Sequence, residues 1–276
     1  MMRLRDDFAA LVAAGERTDL ARAALAIARI GHPDLDPTPS LRRLDGLAAA
    51  VRPRLVAGAP PASAAAEVAH HLFAELRFRG NRDDYYDPRN SYLNDVLERR
   101  TGIPITLSVV MIEVAARLGV RLDGVGFPGH FLVRVADADP PVLLDPFFGG
   151  RPVDDAELLS RYRALGARDA TSVPSEALET TSTPAILLRM LRNLLHVHLE
   201  RKNRAHALHA ADLVLVLSPR SADDHRVRGL LYEDLECFGA ALDDFRAYLE
   251  LAPDAPDTDR IRERVARLVR VAATIH

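Results

Sequence analysis

Tyr86-Asp87-Pro88-Arg89-Asn90-Ser91-Tyr92-Leu93-Asn94-Asp95-Val96-Leu97-Glu98-Arg99-Arg100-Thr101-Gly102-Ile103-Pro104-Ile105-Thr106-Leu107-Ser108 is the stretch on which the fold turns. Its first residues continue a run from Arg79 that has no hydrophobic period and many turn formers, which predicts an ordered loop. Asn90 can cap a helix that runs to Arg99-Arg100 and stops at Thr101-Gly102. A second helix starts at Pro104, where a missing N–H does no harm, and ends at Gly119. From Pro104 to Leu118 it is apolar on nearly every side, and only Thr106, Glu113 and Arg117 give it a polar stripe. Most of this helix is therefore expected to be buried. Ser108 lies about 200° round from Thr106 at ~3.6 residues per turn, which points it inward.

Downstream the hydrophobic period changes to two, in Val125-Gly126-Phe127, Phe131-Leu132-Val133-Arg134-Val135 and Val142-Leu143-Leu144-Asp145, with Asp137-Ala138-Asp139-Pro140-Pro141 as a turn. If Val135 faces Pro141, an antiparallel register sets a strand-borne His130 opposite the Asp145-Pro146 end of its neighbour. A short helix follows over roughly Asp155 to Leu165. Residues 167–184, rich in Ser, Thr, Glu and Pro, read as a linker.

Upstream, residues 5 to about 78 carry apolar side chains at helical spacing, broken at Gly31-His32-Pro33, Pro53 and Gly58-Ala59-Pro60-Pro61, which predicts three or four short helices. Beyond the linker, Ala207 to Pro219 and Ala241 to Pro253 align at a spacing of 34 residues, the period of tetratricopeptide units. Gly229, Tyr232, Ala241, Phe245 and Pro253 fit that pattern in the second unit; Leu194, Ala207 and Pro219 fit it in the first. A last helix from Asp257 to about Ala272 is expected to cap the pair. The resulting organisation is an α+β domain over 1–166, a linker over 167–184 and an all-α repeat array over 185–276.

Composition bounds the function. Hydrophobic residues are 48% and charged residues 27%, ordinary for a globular protein, and Lys plus Arg (36) nearly balances Asp plus Glu (39) to leave a net charge of -3. No basic stripe with interleaved aromatics appears, so nucleic acid is not an expected partner. The charged start Met1-Met2-Arg3-Leu4-Arg5-Asp6-Asp7 does not resemble a secretory signal, and no segment approaches the ~20 apolar residues of a membrane span. A cytoplasmic location without membrane contact is the expectation. The single cysteine, Cys237, excludes an internal disulfide and a multi-cysteine zinc site. His206, His209 and Asp212 share one helix and His196 lies near His198, but without further ligands of matched spacing they read as repeat surface. No metal and no cofactor are expected.

A helix with a small-residue start, then a strand with His, then a strand with Asp is the layout of papain-like and transglutaminase-like thiol enzymes. There a thiolate at a helix N-terminus attacks a carbonyl, and a His oriented by Asp or Asn moves the proton. The segments around His130, Gly126-Phe127-Pro128-Gly129-His130-Phe131, and around Asp145, Leu144-Asp145-Pro146-Phe147, resemble that superfamily. Together with the opening stretch they resemble more closely the SirB-type family, bacterial proteins that pair a transglutaminase-like domain with tetratricopeptide repeats. The same N-terminal module occurs in some eukaryotic F-box proteins.

The resemblance implies a papain/transglutaminase-like α+β domain, helices plus a small antiparallel sheet, followed by a tetratricopeptide-like helical array. Counting back fifteen residues from Gly119 puts Pro104 where the thiol enzymes carry cysteine. Proline is no nucleophile, and Cys237 falls between helices of the second repeat. Ser108 stands one turn beyond Pro104, ~6 Å along the axis and past the helix-end amides. It reads as bonded to the carbonyl one turn back, with a nucleophilic role as the alternative. The expectation is a non-catalytic regulatory adaptor, a pseudoenzyme that binds a protein or peptide. Its groove would hold Tyr86, Arg89, Asn90, Asn94, Pro104, His130 and Asp145. The alternative is a hydrolase of amide or ester bonds, with His130 and Asp145 activating water or Ser108.

Overall fold

The computed structural model describes residues 2–275. In chain order its elements are α1 (Met2–Val12), α2 (Leu20–Ala28), α3 (Thr38–Val51), α4 (Pro61–Ala69), β1 (Arg79–Gly80), α5 (Leu93–Arg99), β2 (Thr101–Gly102), α6 (Pro104–Ala116), β3 (Leu122–Val125) and β4 (Leu132–Val135). They continue with β5 (Val142–Asp145), β6 (Arg151–Val153), α7 (Asp155–Ala164), β7 (Thr180–Thr181), α8 (Thr183–Glu200), α9 (Arg204–Leu217), α10 (Ala222–Asp234), α11 (Phe238–Leu251) and α12 (Thr258–Ile275). The chain divides into two compact units, one of Ala14–Met190 and one joining Met1–Ala13 with Leu191–His276. The first is helices around a small antiparallel sheet, and the second is helical.

In the first unit α6 is the central element. Its residues from Pro104 to Met111, with Val114 and Ala115, are all buried, and it packs against α2, α3, α4, α5, β3 and β4. A helix without a polar face satisfies its own backbone and can be surrounded in this way. Thr106 is a correction to the sequence reading: it is fully buried, not part of a polar stripe. Its Oγ1 accepts from the Ile103 N–H at 3.1 Å and donates to the Asn90 carbonyl at 2.7 Å. A hydroxyl with both partners met can be buried at little cost.

The five-stranded sheet has the order β6-β5-β4-β3-β7, antiparallel throughout. β4 and β5 pair with Val135 opposite Val142 and Val133 opposite Leu144, one residue away from the expected register. Pro140 and Pro141 have no N–H to exchange, so the ladder begins only at Val142. His130 is not strand-borne either; it sits at a bend before β4, after Gly129 with φ 67°.

One face of the sheet is covered by α7 and the chain that follows it. Val125, Phe127, Leu132, Val153 and Leu158 form a cluster that Leu143, Tyr162, Val173 and Leu178 extend. Residues 167–184, read as a linker, thus belong to this unit. They supply Val173 and Leu178 to the cluster, a turn at Ser175–Leu178 and strand β7 on the sheet edge. Two apolar side chains in a polar stretch set up no period that a sequence reading can detect.

The second unit stacks α1 on α9, α9 on α10, α10 on α11 and α11 on α12. The inclusion of α1 is a second departure from the boundary drawn at 1–166, and its buried Phe8 is the apolar contribution it makes. Gly229 of α10 lets the Phe245 ring of α11 lie against the helix backbone, where a Cβ would stand 2.8 Å from the ring. Arg228 ties three helices together, donating to Asp212 of α9 at 2.9 Å and to Asp244 of α11 at 2.7 Å.

Candidate functional site

β5 ends at Asp145, and the chain turns at once through Pro146–Phe148. Asp145 caps this turn, its Oδ1 accepting from the N–H groups of Phe147 and Phe148 at 3.1 and 3.3 Å. Because β4 and β5 are antiparallel neighbours, the bend that precedes β4 lies beside the end of β5. There His130 Nε2 stands 2.9 Å from Asp145 Oδ1 and 3.0 Å from Oδ2. With Nε2 donating to the carboxylate, Nδ1 is the ring nitrogen left to accept.

Two arginines fix this pair, and neither was anticipated from the sequence. Arg161 of α7 donates through Nη1 to Asp145 Oδ2 at 2.7 Å and through Nη2 to Glu157 Oε1 at 2.6 Å. Arg189 of α8 donates to the backbone carbonyls of His130 at 2.6 Å and Phe127 at 3.2 Å, which pins the bend that carries the imidazole. The Asp145 side chain has no exposed surface. Burial pushes its carboxyl up, but the hydrogen bonds and charges of His130 and Arg161 outweigh that and hold it below the usual carboxylate value.

An aromatic wall surrounds the imidazole. The His130 ring lies 6.0 Å from Phe147 and 5.9 Å from Phe148, and Phe147 lies 6.1 Å from Tyr85, which in turn meets Tyr86 at 5.4 Å. The guanidiniums of Arg82 and Arg161 stand 4.7 and 5.1 Å from the centre of the Phe148 ring. Phe147 and Phe148 also line a cleft of ≈ 620 Å³.

The residues expected to line one groove separate. His130 and Asp145 meet, and Tyr86 joins them through the Tyr85–Phe147 contacts. Pro104 is buried at the first turn of α6, and Ser108 Oγ, also buried, donates to the Pro104 carbonyl at 2.8 Å. Asn90 does not cap the following helix. Its Nδ2 donates to the carbonyls of Asp84 and Tyr85 at 2.8 and 3.1 Å, and Asn81 donates to its Oδ1 at 3.1 Å, so it pins the loop from inside. Arg89 is engaged with Asp87 at 2.8 Å. Asn94 donates to Asp95, whose carboxylate pairs with His32 at 2.9 Å. No hydrogen bond, ion pair or ring contact joins Arg89, Asn90 or Asn94 to His130 or Asp145 among the described residues.

Cys237 is exposed at the start of α11. Among the described residues no group of three or more His, Cys, Asp and Glu is placed to hold a metal ion, and no helix is long and apolar enough to cross a membrane. What the site offers chemically is an oriented imidazole with one free nitrogen, a buried anion beneath it and no side-chain nucleophile among these partners.

Residues 39–192 match the family model described as the transglutaminase-like superfamily, and residues 194–266 match a tetratricopeptide repeat model. A UPF0162 protein of Xylella fastidiosa (strain Temecula1) is 41% identical over 257 residues, covering 92% of this chain and 91% of its own. Protein SirB1 of Salmonella typhimurium is 24% identical over 205 residues, 74% of this chain and 76% of its own. The F-box only protein 21 of Mus musculus is 49% identical over 76 residues, 28% of this chain and 12% of its own.

Proposed function

This chain belongs to the transglutaminase-like superfamily, within the SirB-type family that adds tetratricopeptide repeats, and from that premise we propose that it is a non-catalytic adaptor of the cytoplasm that binds a protein or peptide. One observation carries the reading: among the described residues no side-chain nucleophile is in hydrogen-bond contact with His130 or Asp145. Counting back fifteen residues from Gly119 puts Pro104 where the superfamily's thiol enzymes carry cysteine, and Ser108, one turn further along that helix, is buried and donates to the Pro104 carbonyl. A side chain without a lone pair to offer cannot form an acyl intermediate. The repeats support the binding role, because stacked helix pairs present surfaces suited to extended partners.

A second reading, hydrolysis of an amide or ester by water with His130 as general base, draws on the free Nδ1 and on the Asp145 contact that orients the ring. The burial of Ser108 and its bond to the Pro104 carbonyl favour water over this hydroxyl as the nucleophile. A panel of ester, amide and isopeptide substrates separates the two readings. The adaptor gives no turnover above buffer, whereas a rate that His130→Ala abolishes would replace the adaptor with a hydrolase.

A further inference from the structure

Three exposed arginines gather on the cleft beside His130 with no carboxylate partner among the described residues, whereas several others of the same unit are paired. Arg54, Arg89, Arg99, Arg117, Arg121, Arg151 and Arg161 each stand within ion-pair distance of a carboxylate. Arg77, Arg79 and Arg82 all line the ≈ 620 Å³ cleft, all are exposed, and none has a carboxylate partner among the described residues. The lining contains one carboxylate, Asp83, against these three guanidiniums. A chain whose net charge is -3 thus carries a local excess of positive charge at one concave place.

Phe73, Phe78, Phe147 and Phe148 give the cleft an aromatic part, beside Gly80, Asn81, Thr101 and Gly149. Phe148, 38% exposed, stands at its edge with the Arg82 guanidinium 4.7 Å from its centre, and Tyr85 and Tyr86, 40% and 51% exposed, extend the aromatic strip through Phe147. Gly80 keeps the backbone of β1 close against Phe147, since a Cβ there would stand 2.4 Å from the ring. Guanidiniums without carboxylate partners offer paired N–H donors that match a carboxylate, and neighbouring aromatic faces offer apolar contact.

We propose that this cleft binds an acidic peptide segment, with Asp or Glu carboxylates on Arg77, Arg79 and Arg82 and an apolar side chain against Phe148 and the tyrosines. The proposal rests on the adaptor reading and names its partner class. A peptide is favoured over nucleic acid because the exposed rings meet edge to face and offer no row of parallel platforms.

The test is fluorescence anisotropy on the full chain with a labelled peptide of alternating Glu and Phe, a Lys-Phe peptide of the same length and a single-stranded oligonucleotide. The Glu-Phe peptide binds and weakens as salt is raised. Arg79→Glu with Arg82→Glu, both on exposed side chains, costs at least about tenfold in affinity and shifts preference toward the Lys-Phe peptide. Circular dichroism checks that the variant is folded. No binding by the native chain, equal binding by the folded double variant, or tighter binding of the oligonucleotide would each overturn the proposal. The substrate panel reads the adaptor proposal independently: turnover that depends on His130, with peptide binding that depends on the arginines, would sink the adaptor and keep the cleft.

Discussion

Arg161 donates to Asp145 at 2.7 Å, so the carboxylate that orients His130 is itself held by a guanidinium from a different element. Asp145 has no solvent to share its charge, and four donors converge on its two oxygens: the N–H groups of Phe147 and Phe148, His130 Nε2 and Arg161 Nη1. Only Arg161 brings a charge that is permanent at every working pH. The pair expected from the sequence is therefore a part of a longer chain of contacts, from His130 through Asp145 and Arg161 to Glu157 and Arg151.

Removing that guanidinium strands a buried anion. Arg161→Met is expected to destabilise the protein by about 3 kcal/mol, at the lower end of what breaking one side of a buried pair costs. Glu157→Gln touches the same arginine from the exposed side and is expected to stay within about 1 kcal/mol. Urea denaturation followed by circular dichroism checks both. Equal losses from the two variants would mean that Arg161 serves the surface pair and not the buried carboxylate.

The acid limb of stability follows from the same carboxylate. Asp145 lies below its ordinary value in the folded chain, so between its folded and unfolded pKa the unfolded state binds more protons. Its contribution is complete above the ordinary carboxylate range, at about pH 4, and is lost as pH falls through the depressed folded value. Glu75 and Glu157, both lowered to about 2, add slopes of the same sign from the surface. The difference between native chain and Asp145→Asn isolates the buried group. Expected are a lower plateau at neutral pH for the variant and a gap that narrows on acidification, read from urea midpoints at stepped pH. A gap that is constant with pH would contradict the charge argument.

The position of Pro104 can be tested by giving it sulfur. In a Cys237→Ser background the only thiol of a Pro104→Cys variant stands at the first turn of α6, where backbone N–H groups favour an anion. Alkylation by iodoacetamide across pH is expected to show a midpoint below the ~8.5 of a free thiol. His130→Ala in the same background should move that midpoint up. An unshifted thiol would mean that α6 does not begin where the family's nucleophile belongs.

How far the sequence reached depended on whether a feature was local. The burial of α6 could be read because a helix apolar on all sides has one environment open to it, and the repeats because Ala207 and Ala241 recur at the spacing of their unit. Thr106 was misplaced because the atom that satisfies it, the Asn90 carbonyl, comes from a loop that no periodicity locates. Asn90 itself reads as a helix cap from its neighbours and becomes an internal pin only when the loop closes over it. Arg161 sits four residues after Glu157 and looks like half of a surface helix pair; nothing in that spacing points to Asp145. The register of β4 on β5 was within reach, since Pro140-Pro141 states in sequence that no ladder bond can form there.

In the repeat unit the packing of Gly229 gives two alanine substitutions opposite signs. Alanine in a helix interior normally gains up to ~1 kcal/mol over glycine. At Gly229 the new Cβ would meet Phe245 Cε1 at 2.8 Å and Asp244 Cβ at 3.3 Å. Phe245 is fully buried and has no room to retreat, so overpacking of about 1–3 kcal/mol outweighs the gain and Gly229→Ala is destabilising. Gly239, in the first turn of α11, has nothing within 4 Å of the same added atom. There the helical gain stands alone and Gly239→Ala is expected to be neutral or to stabilise by a few tenths of a kcal/mol. Urea midpoints for the two variants, measured side by side, should fall on opposite sides of the native value or show a loss at Gly229 alone. A Gly229→Ala protein as stable as the native one would mean that the α10–α11 contact can open by several tenths of an ångström without cost, and that the glycine is not what lets the ring in.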